Sequence, residues 1–88
     1  MRVNLTSYLR NIVGKNRIEI DIEGEELLGN ILSMLSKDYP EILTLLFKDS
    51  NTMWDGIVII CNGNIEKDLS IKIDNDTEVT ILLPAAGG

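Results

Sequence analysis

The sequence predicts a single α+β domain, because strand-like and helix-like hydrophobic patterns follow one another along the chain. With 88 residues, there is room for one modest core that buries roughly 60–65% of the unfolded chain's surface. Hydrophobic residues make up 44% and charged residues 25%, which is ordinary usage for a folded domain. We therefore expect one domain over residues 1–83, followed by a flexible C-terminal tail over residues 84–88.

The first part of the chain is predicted to form two paired strands joined by a helical turn. Apolar and polar residues alternate over residues 1–6 and again over 17–23, which is the period of a half-buried strand. Between them, residues 8–13 carry apolar side chains at helical spacing, and Gly14 stands where helices commonly end. We expect the two strands to be neighbours in one sheet.

The main helix is predicted to begin just after Gly24. Glu25 and Glu26 follow this glycine, and negative charge is favourable at the positive end of a helix dipole. Apolar residues then recur at intervals of three and four, forming a stripe that must pack on a sheet; they lie at positions 27, 28, 31, 32, 34 and 35. Pro40 ends this pattern and is well placed to begin a second, short helix.

The second half of the chain is predicted to form strands separated by turns. Residues 57–61 are an uninterrupted apolar run followed by Asn62-Gly63, the dipeptide that suits a tight hairpin turn. A short return strand leads to a second turn at residues 74–76, and a last strand covers residues 78–83. Pro84 ends that strand because it cannot donate to a sheet ladder.

Composition excludes several classes of function. The formal charge of −6, from 14 acidic and 8 basic residues, opposes binding to nucleic acid. The longest apolar run is too short to span a membrane and no signal segment is recognisable, so we expect a cytoplasmic protein. The chain has no histidine and one cysteine, which excludes Ser-His and Cys-His catalysis, histidine metal sites, internal disulfides and multi-thiolate zinc sites.

Other reactive side chains have structural explanations that we favour. Cys61 is either a small core residue at a strand end or a nucleophile that carries sulfur, and nothing adjacent in sequence lowers its pKa. The carboxylate pairs Glu25/Glu26 and Asp74/Asp76 occupy a predicted helix start and a turn. Both settings explain acidic residues without acid–base catalysis.

Gly87 and Gly88 are the strongest candidates for reactive chemistry. At an average glycine frequency of about 7%, two final glycines occur by chance in roughly one chain in 200. Glycine has no Cβ, so two in succession let the backbone enter a narrow channel with its carboxylate leading. We predict that the Gly88 carboxylate is the reacting group and that Gly87 serves the threading of the tail.

Threading of the tail into a partner requires affinity from docking of the folded domain. The last strands could supply it, because they carry more apolar surface than one helix layer covers. Residues 57–60 are apolar on both faces, and Leu82 points away from its apolar neighbours in the last strand. Either a second layer covers these strands or a partner does, and we favour the partner. Met53 and Trp54 either extend this patch or fold back over the core. The predicted partner-binding residues are Ile57, Ile59, Leu82, Pro84, Ala85 and Ala86.

The order of elements, the Asn62-Gly63 hairpin and the ending at residues 74–88 together resemble the MoaD/ThiS family of ubiquitin-like sulfur carriers. The match is nearest to MoaD-type small subunits of molybdopterin synthase, which typically end in an acidic turn, an apolar strand, a proline-containing segment and Gly-Gly. The opening strand and the segment Leu9 to Gly14 also look like the start of that family. The resemblance implies a β-grasp fold with a mixed sheet of four to five strands, one main helix on one face and a short second helix.

The resemblance also implies a function. Gly88 would be adenylated by an E1-like, MoeB/ThiF-type activating enzyme that binds ATP, and then thiocarboxylated. The large subunit of molybdopterin synthase would take the sulfur for molybdopterin. The chain itself would bind no cofactor or metal and would not be an enzyme. Alternatives are a ubiquitin-like modifier joined through Gly88 to target lysines, a sulfur donor for tRNA thiolation, and a noncatalytic β-grasp interaction module.

Overall fold

The computed structural model describes residues 1–49 and 52–83. These residues form seven strands and three helices. The strands are β1 (Arg2–Leu5), β2 (Arg17–Glu19), β3 (Glu25–Leu27), β4 (Val58–Cys61), β5 (Asn64–Glu66), β6 (Lys72–Asp74) and β7 (Glu78–Leu82). The helices are α1 (Ser7–Val13), α2 (Leu28–Asp38) and α3 (Pro40–Leu46). Within the described ranges, no helix has both the length and the apolar character needed to cross a bilayer.

The main sheet has five strands in the order β2-β1-β7-β4-β5. β1 runs parallel to β7, and the other three pairs are antiparallel. The last described strand, β7, is therefore central, with one ladder to β1 and another to β4. This arrangement confirms the mixed sheet of up to five strands and the predicted pairing of β1 with β2.

The core lies between the main sheet and the helices. α2 and α3 bury most of the apolar stripes that the sequence predicts, but Met34 on α2 and Leu43 on α3 are exposed, as is Leu27 before α2. The sheet contributes every second residue of its central strands. Fully burying such a side chain stabilises the fold by about 1.5–3 kcal/mol relative to leaving it exposed. The residues with almost no exposed surface are Val3, Leu9, Leu28, Ile31, Leu32, Ile42, Leu46, Ile59, Val79 and Ile81.

The short helix α1 ends as predicted at Gly14. Gly14 has φ +79°, in the left-handed region, and its N–H donates to the carbonyl of Arg10 at 2.8 Å. Glycine adopts this conformation without the penalty that a Cβ brings, which is why it is common after the last helical residue. The chain is thereby turned back toward β2.

The predicted start of the main helix was wrong by three residues. Glu25 and Glu26 belong to β3, which pairs with β6 in a second, two-stranded sheet that the sequence analysis did not predict. The helix begins at Leu28, and no side chain caps it. The N–H groups of Leu28 and Gly29 donate instead to the carbonyls of Ile71 and Leu69, at 3.0 and 2.8 Å, which satisfies donors that a helix start otherwise leaves unpaired.

This contact also explains why a glycine stands inside the helix. A Cβ added at Gly29 would lie 3.3 Å from the carbonyl oxygen of Leu69 and 3.4 Å from its Cβ. Accommodating a Cβ would require the 69–71 segment to move by a few tenths of an ångström, and this opposes the roughly 1 kcal/mol that alanine gains over glycine in a helix.

The Asn62-Gly63 hairpin is confirmed. Asn62 and Gly63 have φ of +49° and +86°, the pair of positive values that a type I′ turn requires. Asn62 also ties the hairpin to the central strand, because its N–H donates to the carbonyl of Glu78 and its Oδ1 accepts from the N–H of Glu78, both at 2.9 Å. One residue thus fixes both the turn and its position against β7.

We predict that alanine at position 62 is less stable than glycine at the same position by about 1 kcal/mol, because alanine adds the steric penalty of the left-handed region. Both variants lose the side-chain bond to Glu78, so the difference isolates the backbone requirement. Urea unfolding of the two variants measures it. Equal stabilities would contradict the assigned turn geometry.

Candidate functional site

The central strand β7 has one face in the core and one face away from the helices. Val79 and Ile81 have no exposed surface, whereas Thr80 and Leu82 are only partly buried. Successive residues of a strand point to opposite faces, so Thr80 and Leu82 lie on the outer face of the sheet. This confirms that Leu82 points away from the core residues of the last strand.

Strand pairing extends this outer face to β4 and β5. Val58 lies opposite Leu82, and Ile60 lies opposite Thr80 on one side and Ile65 on the other. Val58 and Ile60 are partly buried, and Ile65 is 65% exposed. We call Val58, Ile60, Ile65 and Leu82 the outer apolar patch.

The rest of the outer face is polar. On β1, Asn4 donates through Nδ2 to Thr80 Oγ1 at 3.3 Å, and Arg2 forms an exposed ion pair with Glu78 at 3.7 Å. Exposed pairs of this kind contribute little to stability. The outer face is therefore apolar on the β5-β4-β7 side and polar on the β1-β2 side, which gives the outer apolar patch a defined edge.

Two of the predicted partner-binding residues are placed differently by the structure. Ile59 is 1% exposed, pairs with Ile81 and belongs to the core, so it offers no surface to a partner. Ile57 is partly buried and packs against the core. The outer residues of this strand are Val58 and Ile60, and we correct the assignment of Ile59 accordingly.

The sequence held a signal for which residues share a face, but not for which face is the outer one. A two-residue turn at Asn62-Gly63 sets Cys61 opposite Asn64 and Ile60 opposite Ile65, so Ile60 and Ile65 lie on one face. Alternation alone would turn Ile65, an apolar residue between polar ones, toward the core, whereas the structure leaves it 65% exposed. The outer face is identified instead by the pairing of Ile59 with the buried Ile81.

The predicted reactive tail lies outside the described residues. Gly87 and Gly88, with Pro84, Ala85 and Ala86, follow directly on Leu83, and their assigned roles stay predictions. The structure does define the position of Leu83, which is one residue beyond the end of the central strand β7 and directly precedes the tail. Five further residues can reach at most about 17 Å from that point.

Met53 and Trp54 were predicted either to extend the partner-binding patch or to fold back over the core, and each interpretation is right in part. Met53 is partly buried and forms an isolated β-bridge with Phe47. Trp54 donates through Nε1 to the carbonyl of Thr44 at 3.1 Å, and its N–H donates to the carbonyl of Leu46 at 3.0 Å. The indole is thus held against α3 while 47% of Trp54 stays exposed.

Cys61 lies in the core at 7% exposure. Burial raises the pKa of its thiol, and the nearby Glu66 carboxylate raises it further. Since the thiolate is the reactive form, the environment keeps Cys61 unreactive at neutral pH and fits the structural interpretation favoured from the sequence.

One carboxylate of each acidic pair accepts local hydrogen bonds. Glu26 accepts from Asn30 Nδ2 at 2.7 Å and from the N–H of Leu27 at 2.9 Å, and these bonds hold the pKa of its exposed carboxyl below its usual value. Asp74 accepts from Thr77 Oγ1 and from the N–H of Asp76. Among residues 1–49 and 52–83, no group of three or more potential ligands is placed to hold a metal ion.

Comparison with known proteins places this geometry in a wider context. No family model matches the chain. The chain is 27% identical over 88 residues to the molybdopterin synthase sulfur carrier subunit of Dictyostelium discoideum, and the match covers 99% of this chain and 94% of the relative. It is 24% identical to small archaeal modifier protein 1 of Haloferax volcanii, with 100% of both chains covered.

Solved structures agree in fold. The crystal structure of the Haloferax volcanii modifier superposes with a TM-score of 0.86 at 24% identity, covering 100% of this chain and 98% of the other. A chain of the BexX/CysO complex of Amycolatopsis orientalis gives a TM-score of 0.80 at 21% identity, covering 99% and 98%. The protein has the β-grasp fold of the ubiquitin-like proteins. Its relatives are small sulfur carriers and modifiers, and the resemblance to the MoaD/ThiS family is confirmed.

We predict that Cys61 reacts slowly with iodoacetamide in the folded protein at pH 7.5 and rapidly in urea, because its raised pKa keeps the thiol protonated and burial blocks access. Mass spectrometry over time measures the difference. Cys61→Ala should leave any sulfur-carrier activity intact. Loss of that activity in a folded Cys61→Ala variant would show that the thiol takes part in sulfur transfer.

Proposed function

We propose that this chain is a sulfur carrier whose Gly88 is adenylated by an E1-like enzyme, thiocarboxylated, and used to donate sulfur in molybdopterin biosynthesis. The observation that carries the proposal is the position of β7. It is held on both sides in the middle of the sheet, its outer face belongs to an apolar patch, and the Pro-Ala-Ala-Gly-Gly segment follows Leu83 at once.

The chemistry requires little from the chain's own side chains. A carboxylate oxygen of Gly88 attacks the α-phosphorus of ATP, pyrophosphate leaves, and an acyl adenylate forms. Hydrosulfide, supplied by the activating system as the sulfur nucleophile, then attacks the Gly88 carbonyl carbon, AMP leaves with the former carboxylate oxygen, and loss of the remaining S–H proton gives the thiocarboxylate. The chain is thus a carrier substrate, ATP is bound by the partner, and glycine at both final positions lets the carbonyl reach the nucleotide.

The energetics assign a role to the outer apolar patch. Ordering five tail residues costs about 5–10 kcal/mol at 1–2 kcal/mol each. The tail has no side chain larger than that of proline, so its own contacts offset little of this cost. Burial of Val58, Ile60, Ile65 and Leu82 against the partner, at about 25 cal/mol per Å² of apolar surface, offsets part of the remainder.

A second candidate is a protein modifier. The observation that favours it is the likeness over the full length to small archaeal modifier protein 1. In this case the first step is unchanged, and a lysine ε-amine of a target attacks the activated carbonyl in place of sulfur. The amine loses a proton, AMP leaves with the former carboxylate oxygen, and the product is an isopeptide bond.

Incubation with an E1-like enzyme, ATP and a sulfur source should exchange one oxygen for sulfur at Gly88, because a thiocarboxylate replaces the carboxylate. Intact-mass and fragment-mass spectrometry detect and locate the exchange, and a variant lacking Gly87 and Gly88 is the control. Absence of exchange with an enzyme shown to be active contradicts the carrier proposal. Lysine adducts carrying the chain in cells would instead favour the modifier.

Ile60→Asp should raise the KM for activation at least tenfold while leaving the fold intact, because it places a charge in the outer apolar patch. Met34→Asp is the matched control, since Met34 is 45% exposed on α2 and lies away from the patch. If Ile60→Asp lowers stability, Ile65→Asp at the more exposed position replaces it. Equal KM values for the patch and control variants would contradict docking of the outer apolar patch on the activating enzyme.

A further inference from the structure

A surface groove lies at one end of the main sheet, on the side of the sheet that carries Ile59 and Glu66, and is not used by the proposed chemistry. It has a volume of about 700 Å³ and is formed by residues 52–57, which precede β4, and residues 66–70, which begin at the end of β5. Trp54, the single tryptophan of the chain, is one of its lining residues. The groove is therefore an aromatic-lined depression at one end of the main sheet.

Strand register shows which end this is. Leu82 lies opposite Val58 at the start of β4, and Ile59 lies opposite Glu66 at the end of β5. The end of β7, the start of β4 and the end of β5 thus share one end of the sheet. Trp54 is one turn before β4, and its carbonyl accepts from the N–H of Ile57 at 3.3 Å. The groove flanks the point from which residues 84–88 continue.

A protein that takes Gly88 into an active site must cover this end. The five residues beyond Leu83 reach at most about 17 Å, so the body of the chain is held close to the mouth of the partner's channel. The groove is then continuous with the interface that the proposed function requires. Its chemistry indicates what the partner presents there.

The charges around the groove favour a cation. Its lining residues include three carboxylates, from Asp55, Glu66 and Asp68, against one ammonium, from Lys67. Asp68 accepts from the N–H and the Oγ of Ser70, at 2.8 and 2.5 Å, and these bonds lower its pKa and keep it ionised. Negative charge beside an aromatic ring suits a cationic side chain.

Trp54 is held in position for such a contact. Its Nε1–H is bonded to the carbonyl of Thr44, and 47% of the residue is exposed. A ring fixed at one edge loses little conformational freedom when a partner stacks on it. Arginine is the cation that best combines stacking on an aromatic ring with hydrogen bonding to carboxylates.

We propose that this groove receives an arginine or lysine side chain of the enzyme that activates Gly88, with the cation lying against Trp54 and facing the carboxylates of Asp55 and Asp68. The inference rests on the proposed function. It adds a second, charge-selective contact to the apolar docking of the sheet, and it makes Trp54 a docking residue that takes no part in the reaction at Gly88.

The test is steady-state activation with the E1-like enzyme encoded by the same organism, followed by pyrophosphate release. Trp54→Ala should raise KM five- to tenfold with kcat retained, and Trp54→Phe, which keeps an aromatic face, should raise it less. The double variant Asp55→Asn with Asp68→Asn should raise KM and reduce its dependence on salt. Lys67→Gln should lower KM, because it removes a competing cation. Met34→Ala is the control and should change nothing.

The outcomes separate the two proposals. If the wild-type chain is activated and the Trp54 and carboxylate variants match it, the groove contact is overturned and the carrier function stands. If the wild-type chain is not activated by an enzyme shown to be active, both fail together. Should Trp54→Ala lower the melting temperature, the carboxylate variant and Lys67→Gln decide the matter. Both alter exposed side chains, and the amide introduced by Asp68→Asn keeps an acceptor for Ser70.

Discussion

The parallel pairing of β1 with β7 is the constraint on which the rest of the molecule depends. Val3 lies beside Val79 and Leu5 beside Ile81, and all four side chains are buried. This ladder joins strands from opposite ends of the sequence and makes β7 the centre of the sheet. Because β4 pairs with its other side, β7 is held along both edges. A strand held in this way is a firm base for the tail segment that we propose is delivered into an activating enzyme.

The same ladder decides which surface remains for a partner. The helices cover the face that carries Val79 and Ile81, and the opposite face of the sheet carries the outer apolar patch. Leu82 belongs to that patch and is also the last residue of β7. The proposed docking surface and the predicted reactive tail are therefore continuous in the chain, so that docking at the patch would fix the position from which residues 84–88 start. The groove at Trp54 lies at the same end of the sheet, where β7 ends and β4 begins.

Much of this arrangement could be predicted from local patterns, and the exceptions have physical causes. The β1-β2 pair, the bodies of the three helices, the Asn62-Gly63 hairpin and the final strand all have periodicity or turn chemistry of their own. β3 does not, because Glu25 and Glu26 form a strand only through their distant partners in β6. Ile59 was wrongly predicted to face a partner, because residues 57–61 are all apolar and no polar residue among them marks the solvent-facing side. Tertiary pairing with Ile81 supplies that information.

We propose that the outer apolar patch delivers Gly88 by docking on the activating enzyme. Methyl cross-saturation by NMR tests this contact, with the chain carrying labelled methyl groups and the enzyme being saturated. Docking through the patch predicts strong intensity loss for the methyl groups of Val58, Ile60, Ile65 and Leu82, and little for Met34 and Leu43, which are exposed on α2 and α3. Intensity loss confined to the helical face would contradict it.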